Sequence, residues 1–350
     1  MAYTTIDNPE LFFQTVLWTG NATNARSITL DGSENMQPDW VWIKNRTDTN
    51  SHALFDSVRG ATKFIESDTT DAEATNSGFL QSFNSDGFTV GDQGRVNANS
   101  QNYVAWNWKA GGSASSNSDG DVTSSVSANT TAGFSIVKFT SASSSGAMTV
   151  GHGLGATPQV VIVKDIGATG NWQVYFEGIG TANQQYLKLN DTAALANHSG
   201  LWGAGMTSSV IGIGVGVAVD ASESDIAYCF AEKKGYSKFG SYTGNGNADG
   251  TFVYTGFLPS FVMAKMSSST GNWSIFDNKR SSFNVVDEMI KGNSSQAELA
   301  NSSRKIDFNS SGFKIRANHA DINTSGGTYI YMAFAESPFV TSTGIPTTAR

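Results

Sequence analysis

Charged residues are scarce in this chain. Asp, Glu, Lys and Arg make up 15% of its 350 residues, against about 25% in an average soluble domain. The 22 Lys and Arg residues against 30 Asp and Glu give a net charge of −8. The sequence contains no basic cluster of the kind that neutralises a nucleic-acid backbone, so we expect no nucleic-acid partner. The single cysteine, Cys229, excludes a disulfide within the chain.

Long hydrophobic segments are also missing. The longest apolar stretch, residues 210–219, is interrupted by three glycines and is far shorter than the roughly 20 residues of a membrane helix. We therefore expect no membrane partner. Residues 1–7 lack the basic start and apolar core of a secretory signal peptide. The four histidines form no closely spaced ligand pair, and one cysteine cannot complete a structural metal site, so we expect no metal and no cofactor.

Hydroxyl and amide side chains fill the polar positions instead. Ser, Thr and Asn bond to the local backbone and compete with helix formation, and 37 glycines supply turns. No long amphipathic helical pattern is visible. This composition predicts a protein built mainly of β-strands and turns.

One pattern occurs three times along the chain. A proline precedes a short apolar strand that ends in a lysine six positions later, at residues 38–44, 158–164 and 259–265. An aromatic strand closes each copy, at residues 103–108, 226–230 and 329–334. Short aromatic and β-branched strands separated by Gly, Asn and Ser turns are typical of antiparallel sandwiches. We predict an all-β fold of three tandem antiparallel β-sandwich repeats, jelly-roll-like and about 100 residues each.

The stretches between the copies define the predicted domains. Residues 112–132 are rich in Gly and Ser, which indicates a flexible linker. The second joint, residues 232–235, is so short that the second and third repeats should pack as a rigid pair. The predicted order is repeat 1 (1–111), linker (112–132), a divergent repeat 2 (133–233), repeat 3 (234–336) and an extended C-terminal strap (337–350).

A pair of opposite charges recurs three residues apart. Asp56 and Arg59 in the first repeat correspond to Asp277 and Arg280 in the third, whereas the second repeat keeps only an acid, Glu177. A catalytic pair has no reason to be kept in two tandem copies. We therefore interpret both pairs as clamps of a loop, with ligand contact as the alternative.

Other acids are candidates for glycoside hydrolysis, which needs two carboxylates about 5–10 Å apart. They are Glu177 and four acids of a polar loop: Glu66, Asp68, Asp71 and Glu73. We expect none of them to have the apolar surroundings that raise the pKa of an acid catalyst. We interpret them as solvated surface and assign no catalytic residue.

Two groups of apolar residues are candidates for contact with partners. Trp202 lies in a Gly-rich loop without a counterpart in the other repeats, which makes it the best candidate for surface recognition. Phe339, Val340 and Ile345 lie in the strap. Because extended segments add to a neighbour's sheet edge or occupy its groove, we expect these three residues to make assembly contacts with copies of the chain or with other proteins.

Several segments resemble the repetitive tail-fibre-like virion structural proteins of marine bacteriophages, in particular of cyanophages and pelagiphages. The segments are DSVRGA (56–61), NSDGF (84–88), YVAWNWKAGG (103–112) and FVTSTGIP (339–346). GHGLG (151–155) also resembles that family, while the rest of the second repeat is divergent. The resemblance implies a place in a virion and brings no catalytic residues.

We therefore expect a non-enzymatic virion protein, with a tail fibre or tail-associated appendage contacting the host surface as the first hypothesis. Its neutral hydroxyl- and amide-rich loops would suit hydrogen bonding to a host glycan. A capsid decoration or cement protein is the alternative, and the lack of a long shaft in this chain favours it. A glycan-cleaving enzyme is the weaker alternative. The expected partners are other virion proteins and copies of the chain.

Overall fold

The computed structural model describes residues 3–300 and 303–348, and within them the chain is nearly all β-strand. The helical elements of these residues are one 3₁₀ turn (Pro9–Leu11) and one short helix, α1 (Ala320–Asn323). No helix in this part of the chain is long and apolar enough to cross a membrane. The strand ladders are antiparallel, so the prediction of an all-β fold of antiparallel sheets is confirmed.

The strands follow the three copies of the sequence pattern. The first repeat contains β1 (Phe13–Thr19), β2 (Arg26–Ile28), β3 (Trp40–Asn45), β4 (Ala53–Asp56), β5 (Lys63–Phe64), β6 (Ala74–Thr75), β7 (Leu80–Asn84), β8 (Gly87–Val90) and β9 (Asn102–Trp108). The second contains β10 (Ser115–Asn117), β11 (Ser124–Asn129), β12 (Phe134–Thr140), β13 (Gly146–Gly151), β14 (Val160–Asp165), β15 (Gln173–Phe176), β16 (Gln185–Lys188), β17 (Ala196–Asn197), β18 (Val210–Val215) and β19 (Ser224–Phe230). The third contains β20 (Ser237–Thr243), β21 (Phe252–Tyr254), β22 (Phe257–Met266), β23 (Trp273–Asp277), β24 (Ile290–Lys291), β25 (Ile306–Asn309), β26 (Gly312–Ile315) and β27 (Thr328–Pro338).

The principal sheet has the same strand order in each repeat. The order is β1-β9-β3-β4 in the first repeat, β12-β19-β14-β15 within the larger second sheet, and β20-β27-β22-β23 in the third. The register matches as well, with a directly opposed pair at the same place in each sheet: Trp42 and Trp106, Ile162 and Tyr228, Met263 and Met332. The sequence pattern therefore corresponds to a repeated sheet topology.

One face of each principal sheet packs against the other two sheets. Alternate residues of the strands from all three repeats form a single buried cluster. Aromatic rings meet across the repeats: Trp40 stacks on Tyr228 with ring centroids 4.4 Å apart, and Phe13 stacks on Phe334 at 5.3 Å. The three sheets enclose one shared core, so the repeats are not independent sandwich domains.

The opposite face of each principal sheet is covered by a smaller outer sheet. These outer sheets are β2-β8-β7, β13-β18 and β21-β26-β25. Each pair of sheets encloses its own apolar cluster, in which Phe88 of the first repeat and Phe313 of the third are fully buried. Each repeat is thus a small sandwich whose inner sheet also contributes to the shared core.

Residues 112–132 are not a flexible linker. They contain β10 and β11, and β11 pairs with β12, so that this segment adds two strands to the eight-stranded second sheet. In β11, Ser124 and Val126 are buried while Ser125 is exposed. This alternation specifies a strand, but its small hydroxyl residues give the segment the composition of a linker.

The C-terminal segment is not an extended strap. Ser337 and Pro338 belong to β27, and the residues that follow turn back so that Val340 forms a bridge with Pro346. The N–H group of Phe339 donates a hydrogen bond to Gly256 O (3.2 Å). The segment forms a small hairpin that contacts both its own repeat, at Gly256, and the start of the chain, at Tyr3 and Asp7. The sequence pattern does not show this surface.

Candidate functional site

The junctions between the repeats use one contact three times. Eight residues after each strand-ending lysine stands a ring that carries an N–H group, and each ring hydrogen-bonds to a main-chain carbonyl of the preceding repeat in a cyclic order. The pairs are His52 Nε2 with Lys291 O (3.0 Å), Trp172 Nε1 with Glu66 O (2.8 Å) and Trp273 Nε1 with Lys188 O (2.9 Å). The contacts run from repeat 1 to 3, from 2 to 1 and from 3 to 2, and therefore close a ring around the shared core.

His52 is neutral in this arrangement. Its Nδ1 accepts a hydrogen bond from Trp42 Nε1 (2.7 Å), so Nε2 carries the proton that is donated to Lys291 O. Complete burial and the nearby Lys44 ammonium group lower the pKa of His52 to about 3. Protonation would place an N–H group against the Trp42 N–H group and break the contact.

Three equivalent lysines, Lys44, Lys164 and Lys265, are fully buried. Each Nζ donates to the carbonyl of the next residue, at 2.6, 2.6 and 2.7 Å respectively. Lys164 also donates to Thr70 O of the first repeat (3.2 Å), and Lys265 to Ala193 O of the second (3.0 Å). Burial lowers the pKa of each lysine to about 8. Two of these ammonium groups therefore link neighbouring repeats.

The first predicted clamp is a buried ion pair. Arg59 Nε lies 2.5 Å from Asp56 Oδ2, and neither side chain is exposed. Burial alone would lower the pKa of Arg59, but the adjacent Asp56 carboxylate raises it above its usual value. Asp56 Oδ2 also accepts a hydrogen bond of 2.7 Å from the Tyr228 hydroxyl, which belongs to the second repeat.

The second predicted clamp has the same form. Arg280 Nε lies 2.5 Å from Asp277 Oδ2 with both side chains unexposed, and Trp106 Nε1 of the first repeat donates to Asp277 Oδ2 (2.9 Å). Glu298 pairs with Arg280 at 3.0 Å and with Arg46 of the first repeat at 2.8 Å. In both clamps the carboxylate also accepts a hydrogen bond from another repeat. Each clamp therefore links the turn after the aromatic strand to a neighbouring repeat.

The second repeat replaces the clamp by apolar packing. Its acid Glu177 is exposed, and Ile179 is buried in the shared core. Met332 of the third repeat occupies the register position of Trp106 and Tyr228, and its side chain has no hydrogen to donate. The second repeat therefore lacks the ion pair, and the third repeat lacks the hydrogen-bond donor that would contact it.

Trp202 is not a surface residue, and its predicted role in surface recognition is wrong. The ring is fully buried in the outer cluster of the second repeat, 5.6 Å from the ring of Tyr175, and its Nε1 donates to Gln185 O (2.8 Å). The loop passes directly over Gly212 and Gly214 of β18, where an added Cβ would lie 2.2 and 2.1 Å from carbonyl oxygens of the loop. The glycines thus allow close packing of the loop and do not expose the tryptophan.

An open groove of 450 Å³ lies at the boundary of the first and second repeats. Val58 contributes from the first repeat, and the other side is formed by β10–β12, which lie in and beside the stretch expected to be a linker. Its polar lining includes exposed hydroxyls and one half-buried ammonium group: Ser116, Thr123, Ser125, Thr140 and Lys138. These groups can exchange hydrogen bonds with an uncharged polyhydroxyl ligand. We call this surface the junction groove.

A second candidate surface, the C-terminal corner, consists of Tyr3, Tyr254, Phe339 and Ile345. Tyr3 and Phe339 pack edge to face at 6.2 Å, and the Tyr3 and Tyr254 hydroxyls lie 3.3 Å apart. Tyr254 is 57% exposed and Ile345 64%. Of the three residues expected to make assembly contacts, Ile345 is exposed, whereas Phe339 and Val340 are both half-buried in the hairpin.

Sequence reasoning missed the exposed aromatic residues of the third repeat. Phe252 and Tyr254 lie on the outward face of the edge strand β21, with buried Val253 between them, and Phe283 is 78% exposed. The alternation of these strand residues contains the signal, but it does not reveal which face of an outer sheet is solvated.

The acids considered for hydrolysis make separate contacts, and the expectation that all of them are solvated surface is wrong for Glu66, which is buried. Glu66 forms an ion pair with Arg95, Glu73 pairs with Arg59 (3.4 Å) and Lys63 (3.0 Å), and Glu177 is exposed. Within residues 3–300 and 303–348, no group of three or more His, Cys, Asp or Glu side chains is placed to hold a metal ion.

Residues 8–338 match the family described as Domain of unknown function (DUF7483). The chain belongs to this family. The matched segment begins at the 3₁₀ turn and ends with β27, so the DUF7483 domain contains all three repeats together with the shared core. No curated protein and no solved structure matches the chain.

Proposed function

We propose that this DUF7483 protein is a non-enzymatic structural protein of a bacteriophage virion, acting as a tail fibre or tail-associated appendage that contacts the host surface. The resemblance of its sequence segments to phage virion proteins motivates the proposal. One of these segments, residues 56–61, contains the first clamp; another, residues 103–112, contains most of β9 in the shared core; and residues 339–346 form the hairpin of the C-terminal corner. The segments that resemble phage proteins thus include parts of the shared core and its clamp as well as the hairpin of the C-terminal corner.

The observation that carries the proposal is the exposed C-terminal corner. Exposed apolar surface on a domain marks contact sites for other proteins. In this corner Tyr3 contacts both Tyr254 and Phe339, and Tyr254 and Ile345 are more than half exposed. The shared core makes the corner part of a rigid body, which suits a component of an assembled particle. Its partners would be other virion proteins or further copies of the chain.

Contact with the host would use the junction groove. Ser116, Ser125 and Lys138 form one row across three paired strands, and such a row suits the hydroxyl groups of a host-surface polysaccharide. Lys138→Ala should reduce retention of the full chain on immobilised host polysaccharide, while Lys305→Ala on the third repeat should leave retention unchanged. Equal retention of both variants would remove the groove from the proposal.

The proposal is tested by quantitative mass spectrometry of purified phage particles. A tail appendage predicts a few dozen copies or fewer per particle, whereas hundreds of copies would establish the alternative of a capsid decoration protein. Deletion of residues 339–350 should leave the thermal unfolding of the chain nearly unchanged and reduce its incorporation into particles. Absence of the intact chain from particles would overturn the proposal.

The enzymatic alternative has its own readout. Depolymerisation of host polysaccharide by the purified chain, with loss of that activity in Glu66→Gln or Glu177→Gln, would replace the structural proposal.

A further inference from the structure

The three junctions between the repeats are closed by the same main-chain contact. The carbonyl two residues after each strand-ending lysine accepts a hydrogen bond from the preceding repeat in the cyclic order. The pairs are Glu73 N–H with Ile166 O (3.0 Å), Leu195 N–H with Ser267 O (2.8 Å) and Glu298 N–H with Arg46 O (3.0 Å). The three donors therefore occupy equivalent positions in the three repeats.

This donor position carries a charged side chain at two of the junctions. Glu73 forms an ion pair with Arg59 (3.4 Å), and Glu298 forms one with Arg280 (3.0 Å). At the junction of the second and third repeats, Leu195 stands in the place of the glutamate.

The arginine is replaced at the same junction. The strand pairing places Phe176 at the position of Asp56, so Ile179, three residues later, stands at the position of Arg59. Ile179 and Leu195 both pack against the shared core. An apolar pair thus takes the place of the ion pair that the other two junctions contain.

A groove of 300 Å³ lies at this junction. The second repeat contributes residues 178–180 and Leu195 to its lining. The third repeat contributes four hydroxyl residues: Ser241, Ser267, Ser268 and Thr328. These lining residues are all uncharged, and we call this surface the uncharged groove.

The uncharged groove is equivalent in position to the junction groove between the first and second repeats. The strand register places Ser241 at the position of Lys138 and Gly178 at the position of Val58. An added Cβ at Gly178 would meet no atom within 4 Å, so the space over this turn is open. The two grooves are therefore related by the repeat of the fold and differ in charge.

The uncharged groove has an apolar part and a hydroxyl part. Ile179 is buried and Leu195 is half-buried, whereas Ser241 and Ser268 are exposed. The Ser268 hydroxyl oxygen accepts a hydrogen bond from Thr328 N–H (3.0 Å), and a hydroxyl group can donate its own proton as well. Apolar side chains combined with a few placed polar groups are typical of small-ligand sites.

We propose that the uncharged groove is a second carbohydrate-binding site, which takes a neutral sugar unit of the polysaccharide that the junction groove contacts. Ile179 and Leu195 would pack against the C–H face of the sugar ring, and the hydroxyls of Ser241, Ser268 and Thr328 would bond to its hydroxyl groups. A carboxylated or sulfated sugar would lose hydration there without gaining a counter-charge. This inference rests on the proposed function, because the ligand is the polysaccharide named there.

The test is the number of oligosaccharides bound per full chain at saturation, measured by equilibrium dialysis. The probe is a labelled neutral oligosaccharide fraction released from the host polysaccharide, and the unchanged chain should bind two. Ser241→Trp, which places a bulky ring in the uncharged groove, should bind one, as should Ser125→Trp in the junction groove. Two linked sites strengthen binding to a polymer, so each variant should bind the intact polysaccharide at least about tenfold more weakly.

Ser27→Trp is the matched control, since Ser27 is an exposed strand serine outside both grooves, and it should bind two oligosaccharides. Because all three serines are exposed, the thermal unfolding of the variants should match that of the unchanged chain. Two oligosaccharides still bound by Ser241→Trp would overturn the inference.

The other outcomes separate this inference from the proposed function. A single bound oligosaccharide that Ser125→Trp removes and Ser241→Trp leaves would overturn the second site and keep the junction groove. A single one that only Ser241→Trp removes would support the uncharged groove and remove the junction groove. No binding by the unchanged chain would overturn both grooves, while the copy number in particles tests the virion role separately.

Discussion

The Tyr228 hydroxyl of the second repeat donates a 2.7 Å hydrogen bond to the carboxylate of Asp56 in the first repeat. The same carboxylate holds Arg59 within 2.5 Å, so a residue of one repeat completes a buried charge cluster of another. Where the donor is replaced by Met332, the clamp of the neighbouring repeat is missing as well. A side chain of one repeat therefore takes part in the buried ion pair of a neighbouring repeat, and where the donor is absent the ion pair is absent too.

A double-mutant cycle on Tyr228 and Asp56 measures this link. Tyr228→Phe should lower the free energy of unfolding by about 1.5–3 kcal/mol, since it removes a hydrogen bond to a charged group. Asp56→Asn should cost about 3–5 kcal/mol because Arg59 stays buried without its partner charge. In denaturant unfolding the double variant should lose less than the sum, with a coupling of about 1 kcal/mol or more. Strict additivity would contradict the bond, and the exposed Tyr254→Phe should change stability by less than about 0.5 kcal/mol.

Replacement of His52 should remove a specific acid sensitivity. The pKa of His52 is about 3 in the folded chain and about 6.5 when the chain is unfolded. The unfolded state therefore binds the extra proton first, and the stability contributed by neutral His52 is present above pH 6.5 and is lost as the pH falls towards 3. Between pH 7 and 4 the unchanged chain should lose about 3 kcal/mol more than His52→Gln. A pH-independent difference would contradict this account, and the exposed His198→Gln serves as the control.

The buried lysines should act at the other end of the pH range. The pKa of Lys164 is about 8 in the folded chain and about 10.4 in the unfolded chain. The unfolded state therefore holds more protons between these values, and folding stability rises with pH through this window. From pH 8 to 10.5 the unchanged chain should gain about 3 kcal/mol relative to Lys164→Met in denaturant titrations. If the free energies of unfolding of the unchanged chain and of Lys164→Met change in parallel with pH, the prediction is wrong. The control variant Lys305→Met should follow the unchanged chain.

The principal strands could be predicted from the sequence, but the shared core could not. In β3 the alternate faces carry Trp40 and Trp42 on one side and Val41 and Ile43 on the other. Both faces are apolar, so the pattern shows that the strand is buried on two sides without showing which side meets an outer sheet and which meets another repeat.

In the clamps, contacts between residues close in sequence could be predicted, whereas contacts between residues far apart in sequence could not. The spacing of Asp56 and Arg59 allowed their contact to be predicted, because it lies within a single turn. Tyr228, the third member of that cluster, is 172 residues away from Asp56, and nothing in the local pattern connects them. The C-terminal hairpin was missed for a related reason: Ser342 N–H donates to Asp7 Oδ1 (2.6 Å), which lies at the start of the chain.

Equivalent positions in the clusters between the principal and outer sheets should contribute similarly to the free energy of unfolding. Phe88 and Phe313 are both fully buried in their outer clusters. Truncation of either side chain to Ala should cost about 3–5 kcal/mol in denaturant unfolding, because it removes buried apolar surface and leaves a cavity. Phe283→Ala, at a position that is 78% exposed, should cost less than about 0.5 kcal/mol. Losses well under about 1 kcal/mol at both buried positions would show that they are not equivalent core residues.

Differential scanning calorimetry of the full chain tests the shared core most directly. Aromatic contacts across the repeats, such as Trp40 on Tyr228, make the inner face of each sheet depend on its neighbours, so no repeat should unfold alone. The account predicts one endothermic transition with a ratio of calorimetric to van't Hoff enthalpy near 1. Two or three resolved transitions, with one repeat unfolding before the others, would contradict it.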